Sequence, residues 1–194
     1  MTSETIQEFK ERIERDHWMY GIRFDRCRPY FEIPEARCFE LNYPSTPTGA
    51  GHSANVAALL CSRYFERQHF SGATLWFSDA GVFDGWQFLA GRVVIDRIRA
   101  GFGDLRPFDE AEVHHFRADE IELLTAFVMF AFVLSWDIFI LPEADRFLHV
   151  SHDEFFCVVT KTREAAVYVE TVAKDEIETS DSPCSQYFCR PKVD

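Results

Sequence analysis

Residues 119–160 read DEIELLTAFVMFAFVLSWDIFILPEADRFLHVSHDEFFCVVT, and this stretch decides the fold. Asp119 opens a helix that runs to about Leu134 and is apolar nearly all round, so it is expected to lie deep, covered on more than one side. Within Leu123 to Leu141 only Thr125, Ser135 and Asp137 are polar. That length is marginal for a bilayer, and Asp137 near its end is costly there. At Trp136 β-branched and aromatic residues take over, so the stretch reads as a buried helix entering a buried strand. Asp137 to Leu141 and Arg146 to Val150 flank a Pro142-Glu143-Ala144-Asp145 turn and read as a hairpin. Phe155 to Thr160 supplies a third strand. Successive hairpin strands among helices point to an α+β (or mixed α/β) fold, a single layered domain whose mixed or largely antiparallel sheet is packed by helices.

Toward the C-terminus, Arg163 to Ala173 is helical in composition. From Lys174 the chain is polar with two prolines and reads as a loosely ordered tail. Toward the N-terminus, Val113 to Phe116 is a short strand. A helix from about Trp86 repeats Leu89, Val93 and Ile98, with Gly101 and Gly103 as terminators. Ala73 to Phe77 is a strand, and Asp79 to Gly85 a loop. Ser53 opens a helix with Val56, Leu59, Leu60 and Tyr64 as its stripe. Tyr20 to Cys27 and Arg37 to Tyr43 alternate with period two, separated by a turn around Pro29 and Pro34. Ser3 is the expected cap of a first helix carrying Ile6, Phe9 and Ile13 at helical spacing.

The 194 residues suit one domain, residues 1–173, with a tail at 174–194. A chain of this size buries roughly 70% of its unfolded surface, enough for a core without disulfides or a structural metal. The composition, 47% hydrophobic and 27% charged, excludes a mostly disordered chain. The net charge is −12; residues 98–194 carry 19 acidic against 9 basic side chains, and residues 1–97 carry 13 against 11. An acidic half repels phosphate backbones and anionic lipid, so neither nucleic acid nor a membrane is expected as partner. The same field steers a basic protein, and it also serves solubility.

None of the six cysteines, 27, 38, 61, 157, 184 and 189, forms a C-x-x-C pair. Zinc ribbons and thioredoxin-like motifs are therefore not expected. Cys61 and Cys157 lie in apolar runs and read as inert core thiols. The first twenty residues read as a charged helix rather than a leader, and the expected location is the reducing cytoplasm.

Ser151-His152-Asp153-Glu154 is the most conspicuous polar cluster. Neighbouring strand residues point to opposite faces, so His152 and Asp153 are not a ready-made catalytic pair. Ser151 and Glu154 also match a capping box, and a tight turn would engage the same carboxylates. His152, Asp153 and Glu154 remain weak catalytic candidates. His114, His115, His149 and His152 raise a metal reading, but sequence shows only two close pairs, and neither metal nor cofactor is expected. In the loop Trp76 to Trp86, the acids Asp79 and Asp84 stand beside Phe83 and Trp86, which suits an interface anchor. Trp76 itself reads as core. Thr48 to Ser53 hints at anion binding but lacks a G-K-[ST] ending. The runs Asp109 to Glu112 and Asp119 to Glu122 are expected to be solvated.

Leu75-Trp76, Gly81, Asp84, Trp86, Gly103-Asp104, Trp136-Asp137 and Ser151 to Phe155 resemble a pattern found in a family of uncharacterised bacterial proteins. There a Leu-Trp strand precedes a Gly-aromatic turn, and a Trp-Asp strand precedes a Ser-His-Asp-Glu-Phe segment. The resemblance covers roughly residues 73–157, and Phe83 stands where a Trp is usual. It implies one bacterial domain and transfers no activity. Arginine outnumbers lysine 16 to 4, compatible with a GC-rich bacterial genome. The expectation is a non-enzymatic protein-binding module, for example an acidic immunity-type inhibitor of a basic partner, bound through Asp79, Phe83, Asp84 and Trp86. The alternative is a small enzyme or small-ligand-binding protein using His152, Asp153 and Glu154.

Overall fold

The alternating segments of residues 138–160 form three strands in succession: β7 (Ile138–Glu143), β8 (Arg146–Val150) and β9 (Phe156–Thr160). The computed structural model describes residues 1–15, 22–25, 28–31, 37–41, 70–77, 86–134, 136–143, 146–151, 156–172 and 177–178. Ile138 pairs with Val150 and Ile140 with Leu148, as the expected hairpin requires. The strand continues through Pro142, with a register shift between Ile140 and Glu143. A bulge is where a sheet tolerates a residue without an N–H.

The remaining strands are β1 (Thr2–Glu4), β2 (Ile22–Asp25), β3 (Arg28–Phe31), β4 (Arg37–Leu41), β5 (Gly72–Phe77), β6 (Val113–Arg117) and β10 (Ile177–Glu178). Four helices are described: α1 (Ile6–Arg15), α2 (Trp86–Gly101), α3 (Ile121–Val133) and α4 (Arg163–Val172). Eight strands make one sheet in the order β1-β6-β5-β7-β8-β9-β4-β10, and β2 and β3 pair separately. Every pairing is antiparallel. The fold is α+β.

The alternation of side chains divides the core in two. Leu75, Phe77, Ile138, Ile140, Leu148 and Val158 join one cluster with Ile95 of α2, Leu124, Phe127, Val128 and Ala131 of α3, and Ala166 and Val169 of α4. The intervening residues occupy the other face. There Phe9 of α1 lies 4.8 Å from the Trp76 ring, Trp76 stacks on Phe139 at 5.4 Å, and Phe139 on His149 at 4.5 Å. Trp76 is fully buried, as a core residue should be, and so is the Cys157 thiol.

Several expectations are corrected. Thr5, not Ser3, caps α1: Glu8 N–H donates to Thr5 Oγ1 at 3.1 Å, and Thr5 N–H donates to Glu8 Oε2 at 2.9 Å. This is a reciprocal capping box, spelled T-x-x-E in the sequence, while Ser3 belongs to β1 opposite His114. Pro29 is not in a turn but in β3, opposite Phe24. A two-stranded ribbon leaves an outer edge where a missing N–H costs nothing. α3 was expected to be covered on more than one side: it buries the stripe Leu124, Phe127, Val128 and Ala131, half-buries Ile121, Leu123, Thr125, Met129 and Phe130, and exposes Ala126 and Val133. Glu120 is buried, not solvated: it accepts the Arg117 N–H at 2.9 Å and the Met1 ammonium. Glu112 is half-buried and accepts the Ile6 N–H at 3.2 Å, whereas Asp109 and Asp119 are exposed. Within the stretch read as a tail, Ile177 and Glu178 pair with Leu41 and Glu40 of β4. The helix and loop expected across residues 44–64 lie outside the described residues. No helix among the described residues is long and apolar enough to cross a membrane.

Candidate binding surface and polar clusters

α2 is built the opposite way from its sequence pattern. Of the expected repeat Leu89, Val93 and Ile98, Ile98 packs against the core, yet Leu89 and Val93 are 64% and 56% exposed. The buried positions are Gly91, Ile95 and Arg99, one turn apart on the other side. Gly91 allows close packing, because a Cβ there would run into Leu134 Cδ1 and come within 3.0 Å of Trp136. Arg99 is fully enclosed, 3.1 Å from Asp96 and 3.3 Å from Asp104. With an arginine and a glycine on the inner face beside Ile95 and Ile98, Leu89 and Val93 are left on the outer one. At 100° per residue, Leu89, Ala90, Val93, Arg97 and Ala100 share that side, and all five are exposed. Phe102 and Leu105, just past the helix, are also 49% and 83% exposed. Concentrated exposed apolar surface on a folded domain marks an interaction site.

The end of α2 is fixed by its own backbone. Gly103 has φ +86°, its N–H donates to Ala100 O at 3.0 Å, and Asp104 N–H donates to Arg99 O at 3.1 Å. This pair of bonds is a Schellman motif, with glycine at the left-handed position. The turn sets Asp104 among Arg106 Nη2 at 2.8 Å, Arg106 Nε at 3.0 Å, Arg99 and the Ser3 hydroxyl. The Arg106 hydrogen bonds, above all, hold the Asp104 carboxyl far below the usual carboxylate range. The cluster ties α2 to β1.

On the opposite sheet face, Thr74, His115 and Glu4 come from three adjacent strands. Thr74 Oγ1 lies 3.0 Å from His115 Nδ1, and His115 Nε2 lies 2.9 Å from Glu4 Oε1. Burial, offset in part by the Glu4 charge, lowers the His115 pKa. A hydroxyl, imidazole and carboxylate in this order are the parts of a nucleophilic triad. Thr74, however, pairs with His115 on one side and Leu141 on the other. Its backbone surroundings are engaged in the sheet and offer no pair of N–H groups for an oxyanion. Glu4 is also held by Arg12 at 2.7 Å. The row therefore straps the short edge strand β1 to the sheet. Beside it an open groove of about 390 Å³ is lined by Ser3, Glu4, Glu8, Glu11, Arg12, Arg15 and Arg106, charges of both signs.

A third cluster forms where the β7–β8 hairpin opens. Ser151 Oγ donates to Asp137 Oδ1 at 2.9 Å, and His149 Nε2 lies 3.6 Å from Asp137 Oδ2. The carboxylate stands between hydroxyl and imidazole, so this is not the order hydroxyl, imidazole, carboxylate of a nucleophilic triad.

His114 and His115, adjacent in sequence, face opposite sides. The His114 ring lies 5.1 Å from Phe127 and 5.8 Å from Phe77 and is fully buried. Among the described residues, no three His, Cys, Asp or Glu side chains converge as a metal site needs. Of the residues singled out from sequence, Asp79, Phe83, Asp84, His152, Asp153 and Glu154 lie outside the described residues, as does Thr48 to Ser53. Trp86 is described only as the first residue of α2. Sequence reasoning missed the outer face of α2. Its signal was the spacing of Gly91, Ile95 and Arg99, an inward face with one apolar residue in three. Comparison with protein-family models, curated proteins and solved structures finds no match to the chain.

Proposed function

We propose that the chain is a non-enzymatic protein-binding module of the bacterial cytoplasm, in the form of an acidic immunity-type inhibitor that holds a basic protein. One observation carries the reading: α2 turns Leu89 and Val93 to solvent and encloses Arg99. The loop with Asp79, Phe83, Asp84 and Trp86 leads directly into this helix, so the anchor expected from sequence and the apolar face are contiguous along the chain. The net charge of −12, with Asp109, Glu110, Asp119, Glu122, Glu164 and Glu170 all exposed, supports fast, salt-sensitive association with a basic partner.

The test is retention of basic proteins from lysate of the source cell on immobilised protein, at low and moderate salt. A stoichiometric basic partner is expected, held more weakly as salt rises. Leu89→Glu is expected to weaken its retention about tenfold or more, a loss of an apolar anchor worth more than 1 kcal/mol. This occurs although the substitution adds negative charge, and with the fold intact by circular dichroism. Unchanged retention by that variant contradicts the assignment. A second reading, a small enzyme or ligand-binding protein working through His152, Asp153 and Glu154, is favoured by the Asp137, His149 and Ser151 cluster, which runs directly into that segment.

A further inference from the structure

We propose that Arg97 makes the outer face of α2 selective: the partner surface it takes is apolar and carries one carboxylate, of Asp or Glu, facing the Arg97 guanidinium. This rests on the reading of the face as a protein-binding surface and adds the chemistry of what meets it.

Arg97 lies at the centre of the exposed arc. At 100° per residue from Leu89, Val93 stands at about 40°, Arg97 at about 80° and Val94 at about 140°. All four are exposed. The residues one turn away from Arg97 are Val93, Val94, Ala100 and Gly101, none of them charged. On its C-terminal side there is room for an incoming group, because a Cβ on Gly101 would meet nothing within 4 Å.

The other arginines of α2 and its following turn are matched within the chain. Arg92 pairs with Asp109 at 3.0 Å, Arg99 with Asp96 at 3.1 Å, and Arg106 with Asp104 at 2.8 Å. Arg97 makes no ion pair with any of the described residues, in a chain of 32 acidic and 20 basic side chains. An unpaired cation is ordinary while water surrounds it. Covering Leu89, Val93 and Val94 takes the centre of the arc out of water, and a charge buried without a partner is strongly unfavourable. The covering surface therefore supplies the acceptor. A carboxylate suits it best, since its two oxygens match the planar guanidinium fork. The acidic remainder of the molecule steers a basic protein toward it, and Arg97 then rejects a basic patch at the face itself.

The test uses a displayed library of short helical peptides, selected in parallel on the full-length wild type and on Arg97→Glu. Position 97 faces solvent, so both proteins are expected to fold. The wild type is expected to return peptides whose apolar stripe carries one Asp or Glu. Arg97→Glu is expected to return Lys or Arg at that place. Affinity of the wild-type peptides is expected to fall about tenfold or more in Arg97→Ala and in Leu89→Ala alike. Peptides that weaken with Leu89→Ala, yet show no acidic preference and ignore Arg97→Ala, overturn the inference and leave the reading of the face standing. If no selected peptide depends on Leu89, the reading of the face fails and the inference with it.

Discussion

Trp76→Ala is expected to be the most damaging single substitution on the face that carries α1. Trp76 is fully buried, stacked on Phe139 and in contact with the Phe9 ring. Truncating a buried tryptophan costs about 3–5 kcal/mol through lost transfer energy and the cavity left behind. Domains of this kind have only about 5–15 kcal/mol in total. The site cannot collapse easily, because Trp76 sits in a strand with neighbours on both sides, Val113 in β6 and Phe139 in β7. Phe9 and Ile13 then lose part of the surface on which α1 rests. Urea unfolding followed by fluorescence is expected to show an unfolding free energy lowered by that amount, read as a lower midpoint at unchanged slope. Val167→Ala, at a position 52% exposed, is expected to stay within about 0.5 kcal/mol of wild type. Similar losses for the two variants would contradict the placement of Trp76.

The second large effect is a loss of stability on mild acidification, centred on His114. Burial, and next the Arg99 charge, lowers its pKa from 6.5 to about 3. The unfolded chain therefore takes up the proton first. Neutral His114 favours folding fully above pH 6.5, and that contribution falls away as pH drops toward 3. Over the whole interval the loss is on the order of 5 kcal/mol. His115, lowered by the same kind of burial, adds in the same direction. Asp104 stays charged through the upper part of this window, and the Asp96 carboxyl, raised by burial, acts in the opposite sense, so a loss of stability between pH 6.5 and 5 belongs, among the described residues, to the imidazoles. His114→Phe is expected to flatten the slope there, since a ring of similar shape still fills the space beside Phe77 and Phe127. A variant whose stability falls with pH as steeply as the wild type would show that His114 is not the group responsible.

What was legible in the sequence follows from the range of the interactions. The β7–β8 hairpin was readable because its signal is local: alternation on both sides of a short turn. The same register, Ile138 opposite Val150, already implies that Asp137 and Ser151 meet. That cluster could have been found from sequence, and the emphasis on His152 to Glu154 passed over it. The capping of α1 is equally local: the reciprocal Thr5–Glu8 pair is a stronger signal than a lone cap residue such as Ser3.

The Thr74, His115 and Glu4 row was not readable. Its members lie 41 and 111 residues from His115 along the chain, and only the order β1-β6-β5 brings them together. The orientation of α2 was misread for a different reason. Periodicity assumes that apolar residues turn inward, and two departures reverse this here. Gly91 lets Trp136 and Leu134 approach, and Arg99 is buried only because Asp96 and Asp104 accept its charge. The exposed leucine and valine are the result: here local periodicity and tertiary packing disagree.

The most direct test of that surface is site-specific photo-crosslinking in the source cell, with a benzophenone side chain at position 93 of α2 and, separately, at position 167 of α4. Both positions are more than half exposed, so exposure alone does not distinguish them. The account predicts a discrete, saturable protein adduct from position 93 and none from position 167. No adduct at position 93, or the same adducts from both positions, would contradict it.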